Sequence, residues 1–256
     1  MKANESAEIV KAVGALTKTV SGKVKQIDDK VSTVASDIYD RMNVDKNVTF
    51  FIDVEKGSDG GTGTEKSPFK TVAQALRAAQ GVAVLTIRLQ YSQRHKLGWS
   101  ASSNISTIEF LPWKENSDTT RPYHFDEHTP ILEIDSALRT HGSLIFGNYR
   151  KSLIIEATSS DPNDVFQLWG GGSVIVARSR IVLGMDANTS LFGGTHLYLS
   201  PNKLSLREVD IVRQGGYLGR PCHFIVQGSS GFEFVEDVIK GATPKNTMTN
   251  VKFKES

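Results

Sequence analysis

The larger part of the chain, from about residue 82 onward, consists of short apolar runs separated by glycine, asparagine, aspartate and serine. Val84-Leu-Thr-Ile-Arg-Leu89 and Thr107-Ile-Glu-Phe-Leu111 alternate apolar and polar residues, as half-buried β-strands do. Runs of about three to five residues recur roughly every 8–12 residues as far as Val235, which is typical of all-β proteins. Long helical patterns do not alternate with these runs, so a βαβ fold is disfavoured. We therefore predict an all-β fold for residues 82–256.

The spacing of the runs suggests a solenoid. When Leu144, Val174, Leu197 and Phe224 are taken as equivalent positions, the steps between them are 30, 23 and 27 residues. Steps of this size suit a parallel β-helix in which each coil holds about three short strands. Because the period is irregular and the runs are short, a β-sandwich of meandering strands is the alternative.

Residues 5–42 carry a different pattern, in which apolar residues recur at steps of three or four. This is the a/d seam of a coiled coil, and the step of four from Val20 to Val24 marks one stutter. Nearly all seam residues are β-branched at both a and d, which favours three or four strands over two. We therefore expect residues 1–45 to form a parallel trimeric coiled coil. Its interface would comprise Ile9, Val13, Leu16, Val20, Val24, Ile27, Val31, Val34 and Ile38. The alternative is an amphipathic helix that packs on its own globular domain.

Between these two regions, residues 50–79 combine a strand, a glycine-rich turn and a helix. The apolar strand runs from Phe50 to Val54, the turn spans Gly57 to Gly63, and Ser67-Pro-Phe69 opens an alanine-rich helix over Thr71 to Ala79. This order resembles the entrance of the pectin-lyase-like right-handed β-helices of bacteriophage tailspikes and tail fibres. The resemblance is close over about 30 residues and diffuse elsewhere.

The resemblance implies a fold and a setting. Residues 46–81 would cap a small right-handed parallel β-helix over residues 82–256, preceded by the α-helical coiled coil. The protein would be a homotrimeric structural component of a phage tail, synthesised in the host cytoplasm and carried in the virion. As a tail fibre, tailspike or fibre adaptor, it would bind other tail or baseplate proteins and recognise the host surface, including its polysaccharide.

Two other functions are open at this stage. The first is a polysaccharide-degrading tailspike depolymerase, a lyase or a glycosidase, although the solenoid is short compared with enzymatic members of that family. The second is a non-viral β-sandwich binding module whose coiled coil recruits a partner helix. A structural role is favoured over an enzymatic one.

Composition disfavours several classes of partner and site. The formal net charge is +2 with Lys and Arg scattered, so no nucleic-acid footprint is indicated. A lone Cys222 excludes an intrachain disulfide framework and a cysteine-based zinc site. The N-terminus lacks the apolar run of a signal peptide and no run of 18 apolar residues occurs, so we expect cytosolic synthesis and no membrane insertion.

Two motifs suggest ligand binding but have simpler explanations. The loop Gly57-Ser-Asp-Gly-Gly-Thr-Gly63 lacks the Gly-Lys-Ser/Thr ending of a phosphate-binding loop, so a turn that needs positive φ at several residues is favoured. The cluster His124-Phe-Asp-Glu-His128 is bracketed by Pro122 and Pro130, which favours a loop over a metal-binding helix. We expect no metal and no cofactor.

Carboxylates are the candidates for catalysis, because glycoside hydrolysis needs one protonated and one ionised carboxyl. Glu208 and Asp210 are two residues apart, which on one strand would place both on one face. Asp161 and Asp164 are weaker candidates, since they lie in a turn-like Ser-Ser-Asp-Pro-Asn-Asp run. Glu156 and Asp186 complete the set. Trp99, Trp113 and Trp169 can stack on sugars, although packing is the favoured role.

Overall fold

The computed structural model divides the chain into two compact units, Met1–Asp45 and Lys46–Ser256. The residues it describes are 2–42, 47–99, 101–113, 125–148, 152–158, 161, 165–169, 172–193 and 201–254.

The first unit is a single helix, α1 (Lys2–Met42), of 41 residues. No proline interrupts this span, and the hydroxyls of Thr17, Thr19 and Thr33 bond back to carbonyls four residues earlier. At 1.5 Å per residue such a helix is about 60 Å long. Every side chain from residue 10 to residue 33 is exposed, so α1 has no core of its own over this stretch.

The second unit is mostly β, with one short helix, α2 (Val72–Ala78), and a 3₁₀ turn (Val235–Asp237) among its described residues. Its strands are β1 (Asn47–Ile52), β2 (Val84–Gln90), β3 (Arg94–Lys96), β4 (Ser102–Ser103), β5 (Thr107–Trp113), β6 (Ile131–Glu133), β7 (Leu138–Thr140), β8 (Ser143–Phe146), β9 (Leu153–Ala157), β10 (Phe166–Leu168), β11 (Ser173–Ala177), β12 (Ser179–Leu183), β13 (Lys203–Arg207), β14 (Asp210–Arg213), β15 (His223–Gln227) and β16 (Met248–Thr249).

These strands form three sheets, and the paired strands are parallel. Sheet 1 has the order β1-β2-β5-β8-β11-β13-β15-β16, sheet 2 the order β3-β6-β9-β12-β14, and sheet 3 the order β4-β7-β10. The chain passes from sheet 1 to sheet 2 to sheet 3 and back again, so that β2, β3 and β4 make one coil and β5, β6 and β7 the next. This arrangement is compatible with a parallel β-helix. A meandering β-sandwich is disfavoured, because hairpin-connected strands pair antiparallel.

The register in sheet 1 corrects the predicted period. Val174 pairs with Leu144 as expected, but its next partner is Leu204, followed by Phe224. The steps are therefore 30, 30 and 20 residues, and the assignment of Leu197 to this row was wrong. Leu204 and Leu206 both lie inward on β13, so the run Lys203–Leu206 supplies this coil's strand. Residues 194–200 lie outside the described part of the chain.

A column of phenylalanines fills the interior. Phe110, Phe146, Phe166, Phe192 and Phe224 are fully buried. The rings of Phe110 and Phe146 stack with centroids 5.2 Å apart, and those of Phe166 and Phe192 stack at 5.7 Å. Aromatic pairs of this kind add about 0.5–1.5 kcal/mol beyond area burial. The core of the second unit is therefore continuous from coil to coil.

The first coil is closed by the strand, turn and helix expected from the sequence, although β1 begins earlier than Phe50 and ends at Ile52. The Asp59 carboxylate accepts hydrogen bonds from the amides of Lys70 and Thr71, and the Thr71 hydroxyl caps α2 by accepting from the amide of Gln74. The helix buries Val72, Ala75 and Leu76 in the core. The expectation of positive φ at several residues of the turn was wrong, because between residues 57 and 63 only Gly63 has one, of 72°. Gly57 is required for a different reason: a Cβ there would lie 2.3 Å from the carbonyl oxygen of Phe69.

Candidate functional site

The apolar stripe of α1 is the most extensive exposed hydrophobic surface among the described residues. We define the α1 stripe as Val13, Leu16, Val20, Val24, Ile27 and Val31, whose side chains are between 51% and 64% exposed. The side chains of Ile9, Val34 and Ile38 lie outside the described residues. The second unit keeps its large apolar side chains mostly inside, so this row is unusual in the chain. A contiguous exposed apolar row marks an interaction surface.

The carboxylates considered for catalysis do not share a strand face, which corrects that expectation. Glu208 lies at the corner between β13 and β14 with a φ of 54°, and Asp210 is the first residue of β14 in another sheet. The corner recurs in the neighbouring coils. Ala177 and Gln227 both pair with Arg207, and the residues that follow them, Arg178 and Gly228, have φ values of 46° and 61°. The expectation assumed that Glu208 and Asp210 lie on one continuous strand. The left-handed backbone at Glu208 interrupts that strand.

Each of these two carboxylates is bound by an arginine of the preceding coil. The Arg178 Nε donates to the Glu208 Oε2 at 2.7 Å, and the Arg180 Nε donates to the Asp210 Oδ2 at 2.8 Å. The hydroxyl of Ser230, in the following coil, donates to the other oxygen of Asp210 at 3.2 Å. Charge-assisted bonds of this kind connect successive coils and hold the corners together. This is the arrangement of structural ion pairs on a solvent-facing surface.

The remaining candidate carboxylates are separate from these. Asp161 is exposed between β9 and β10, and Asp164 lies outside the described residues. The Asp186 side chain accepts the amide of Asn188, a turn contact. Glu156 lies in sheet 2, where its Oε2 accepts from the Arg94 guanidinium at 2.5 Å. The structure therefore distributes the candidates over turns and ion pairs.

A row of charges on sheet 2 was missed by the sequence reasoning. Arg94 contacts both Glu133, at 3.6 Å, and Glu156, and Lys96 contacts Glu133 at 3.8 Å. Lys96, Glu133 and Glu156 pair in register across β3, β6 and β9. The alternation Arg94-His95-Lys96 is the only sequence signal for this row of charges. A run of three residues does not predict which strands will pair with it.

His95 lies inward between these charges and is fully buried. Its Nε2 lies 2.9 Å from the Gln90 carbonyl oxygen and must donate to it, while Nδ1 has no hydrogen-bond partner in the described part of the chain. Burial lowers the pKa of His95 below its ordinary value, and the Gln90 carbonyl and the charge of Asp53 oppose this only in part. His95 is therefore neutral at pH 7, with Nε2 as the donor and Nδ1 as an acceptor.

A pocket of about 270 Å³ adjoins His95 at the open edge of sheet 2. It is lined by Ile52, Val54, Lys70, Thr71, Val72, Arg94, His95 and Lys96. Nearby, burial would raise the pKa of Asp53, but hydrogen bonds from the Gln93 amide group and from the backbone of Lys56 and Glu55 together lower it. The pocket thus combines apolar walls with a cationic rim, and its residues do not bring two carboxylates together.

The part of the His124–His128 cluster that the structure describes, residues 125–128, belongs to a turn. The Asp126 carboxylate accepts the amide of His128 and the hydroxyl of Thr129, and the His128 Nδ1 contacts the Ser92 hydroxyl at 2.9 Å. His124 lies outside the described residues. Within the described ranges, no three His, Cys, Asp or Glu side chains are grouped as metal ligands.

The tryptophans differ in exposure. Trp113 is buried with its ring centroid 5.0 Å from that of Phe51, and the Trp99 indole donates to the carbonyl of Ala101. Trp169 is 42% exposed beside His141, at a corner between sheets 3 and 1. Of the three, Trp169 is the most exposed.

Two further observations bear on chemistry and location. Cys222 is buried, and burial raises the pKa of its thiol to about 12, so the thiolate needed for nucleophilic chemistry is not formed at neutral pH. Neither α1 nor α2 has the length and apolar character needed to span a bilayer.

Comparison of the chain with protein-family models, curated proteins and solved structures gives no match.

Proposed function

We propose that the protein is a homotrimeric structural component of a bacteriophage tail, a tail fibre, tailspike or fibre adaptor that attaches to the tail and recognises the host surface. The observation that carries this proposal is the occurrence, in one chain, of an exposed β-branched helical stripe and a self-contained stack of parallel sheets. The resemblance of residues 50–79 to β-helix entrances gives the proposal its viral setting.

The parallel sheets support a right-handed β-helix. From β2 to β11 the chain returns to sheet 1 through sheets 2 and 3, and crossovers between parallel strands of one sheet are right-handed in about 98% of cases. The buried phenylalanine column fills the interior as solenoid cores are filled. A stiff solenoid of this kind suits a virion part that must keep its shape.

The α1 stripe supports a trimeric stalk. Val and Ile occupy both a and d positions, and Leu16 is the one leucine in the stripe. This composition favours three or four strands. A buried Val or Leu side chain contributes about 1.5–3 kcal/mol relative to an exposed one, so association through six positions per chain is a large driving force. Trimerisation would also raise host-surface avidity, because three weak sites act together.

The ion pairs of Glu208 and Asp210 give the depolymerase alternative no support. Both carboxylates contact guanidinium groups of a neighbouring coil, and Glu208 lies at the corner before β14 whereas Asp210 lies in β14 itself. A structural and binding role therefore accounts for the described residues with fewer assumptions.

The first test is the mass of the full chain by light scattering after size exclusion. We expect about three times 28.0 kDa for the natural sequence. Val20→Asp combined with Val24→Asp places charges in the stripe and should give a monomer with unchanged β-type circular dichroism. A monomeric natural chain would contradict the proposed assembly.

The second test concerns attachment. Fluorescently labelled protein is incubated with a panel of bacterial strains, and retention on cells is compared between the natural chain and the Val20→Asp, Val24→Asp variant. We expect at least one strain to retain the natural protein and to retain the variant far less. Equal retention on all strains and on protein-free lipid vesicles would contradict host-surface recognition.

A further inference from the structure

We propose that Lys23 of one chain and Asp28 of the neighbouring chain form an ion pair that fixes the parallel, in-register arrangement of the stalk. The inference rests on the proposed coiled coil and adds to it the residues that select the orientation and register of the second copy. Both side chains are exposed on α1.

The heptad positions follow from the α1 stripe. Val13, Leu16 and Val20 take positions a, d and a before the stutter, and Val24, Ile27 and Val31 take a, d and a after it. Lys23 directly precedes an a residue and is therefore a g residue. Asp28 directly follows a d residue and is an e residue. Positions e and g flank the seam and are where ion pairs between helices form.

The spacing of these two residues suits a parallel neighbour. In a parallel coiled coil a g residue lies beside the e residue five positions later in the adjacent helix, and Lys23 and Asp28 are five positions apart. Within one helix, residues five apart are separated by about 140° and do not face each other. The Lys23 ammonium instead lies 3.3 Å from the Gln26 side-chain oxygen of its own helix, an exposed contact that leaves it free to reorient.

The other e and g positions near Lys23 and Asp28 offer few competing ion pairs between chains. Ala12 and Thr19 are the preceding g residues, Thr17 is the preceding e residue, and all three are uncharged. The next g residue, Lys30, would face Ala35. An antiparallel arrangement brings g next to g and e next to e, so it separates Lys23 from Asp28. A stutter locally unwinds the supercoil, and the charged pair lies directly after it in the chain.

The experiment is a charge-reversal cycle on the full chain. Lys23→Asp, Asp28→Lys and the double reversal are compared by sedimentation equilibrium over a dilution series at low salt. Lys18→Asp and Asp29→Lys are the matched controls, because both lie at f positions, away from the seam, and change the net charge equally. Each single reversal replaces three attractive contacts per trimer with repulsive ones. We expect the half-dissociation concentration to rise about tenfold for each, and the double reversal to return it to within about twofold of the natural value.

Two further readouts make the inference specific. At 1 M salt the Debye length is about 3 Å, so the single reversals should approach the natural chain there. Val13→Cys should form disulfide-linked dimers within the trimer on oxidation, because copies of one seam position meet only when chains are parallel and in register. Cys222 is buried with a raised pKa and should not compete.

The outcomes separate the pair from the assembly. A trimeric natural chain whose dissociation is unaffected by the reversals, or is weakened further by the double reversal, overturns the ion pair and leaves the trimer standing. Failure of Val13→Cys to cross-link in a trimeric protein overturns the parallel register. A natural chain that is monomeric at all concentrations overturns the proposed assembly itself, and with it this inference.

Discussion

The two units of this chain place the same kinds of side chain in opposite environments. Phe110 and Phe146 in the second unit are fully buried, whereas Val20 and Leu16 in α1 are more than half exposed. The second unit therefore satisfies its apolar residues within one chain, and α1 does not. From the proposed coiled coil we therefore expect the stability of α1 to depend on protein concentration and that of the second unit to be independent of it.

The largest effect that would sharpen this comparison is Phe146→Ala. The Phe146 ring contacts those of Phe110, Phe166 and Phe192, with centroids 5.2 to 5.8 Å apart. Its removal leaves a cavity in a continuous column, so we expect the free energy of unfolding to fall by about 3–5 kcal/mol. Urea denaturation followed by tryptophan fluorescence measures this loss.

The matched control for Phe146→Ala is Ile175→Ala, on the outer face of the same sheet. Ile175 is 36% exposed, and its loss should cost less than about 1 kcal/mol. The comparison between the units would be wrong if both substitutions had similar effects, or if the cost of Phe146→Ala varied with protein concentration.

The next effect is that of replacing a glycine by alanine, which we expect to destabilise the second unit and to stabilise α1. Gly57→Ala would bring a Cβ within 2.3 Å of the Phe69 carbonyl oxygen, and we expect a loss of about 2–3 kcal/mol. Gly14 has nothing within 4 Å of the corresponding Cβ position, so Gly14→Ala should strengthen α1 by about 1 kcal/mol. Urea midpoints report the first, and helical circular dichroism at low concentration reports the second.

These glycines also show what sequence reasoning could and could not supply. A glycine-rich turn between β1 and α2 could be predicted because Gly57 and Gly63 fall among Ser, Asp and Thr. That the Gly57 Cβ position is blocked by a carbonyl from Phe69 could not be, because contacts between distant residues depend on how the chain returns.

The fold and the site differ in how far they could be predicted. Short alternating runs indicated β structure, and the parallel pairing of Leu144 with Val174 confirms the predicted step of 30 residues between these two strands. Leu197 was misplaced because loops of different length separate the coils, so a fixed period does not hold. The carboxylate geometry failed for a different reason, since nothing in Arg207-Glu208-Val209 reveals the left-handed backbone at Glu208. The trimeric coiled coil of α1 stays a prediction.

The third effect is a pH dependence carried by His95 in the second unit. Burial holds the folded-state pKa of His95 below its ordinary value of 6.5, so the unfolded chain takes up the proton first as pH falls. The contribution of His95 to stability is therefore complete above pH 6.5 and declines below it. We expect the urea midpoint of the natural chain to fall between pH 7 and pH 5.

The variant that isolates this contribution is His95→Leu, which continues the buried column formed by Leu132, Ile155 and Ile181. The decline between pH 7 and pH 5 should be smaller in this variant. His128→Leu is the control for removing a histidine elsewhere in the second unit, because His128 is exposed. Asp53, whose pKa is lowered below 3.8, loses its stabilising contribution only at more acidic pH. Equal slopes in the natural chain and His95→Leu would assign the decline to other groups.

The smallest effect separates the structural from the catalytic interpretation of Glu208. In Glu208→Gln the contact with Arg178 loses its charge, and because both side chains are partly solvated we expect a cost of about 0.2–1 kcal/mol. A double-mutant cycle with Arg178→Gln should recover a coupling of the same size. If Glu208 were instead a catalytic carboxylate, Glu208→Gln would abolish release of reducing ends or unsaturated sugars from purified capsular polysaccharide while leaving stability almost unchanged. We expect no polysaccharide turnover by either protein, and the small stability change would then place Glu208 with Asp210 as contacts that connect successive coils of the second unit.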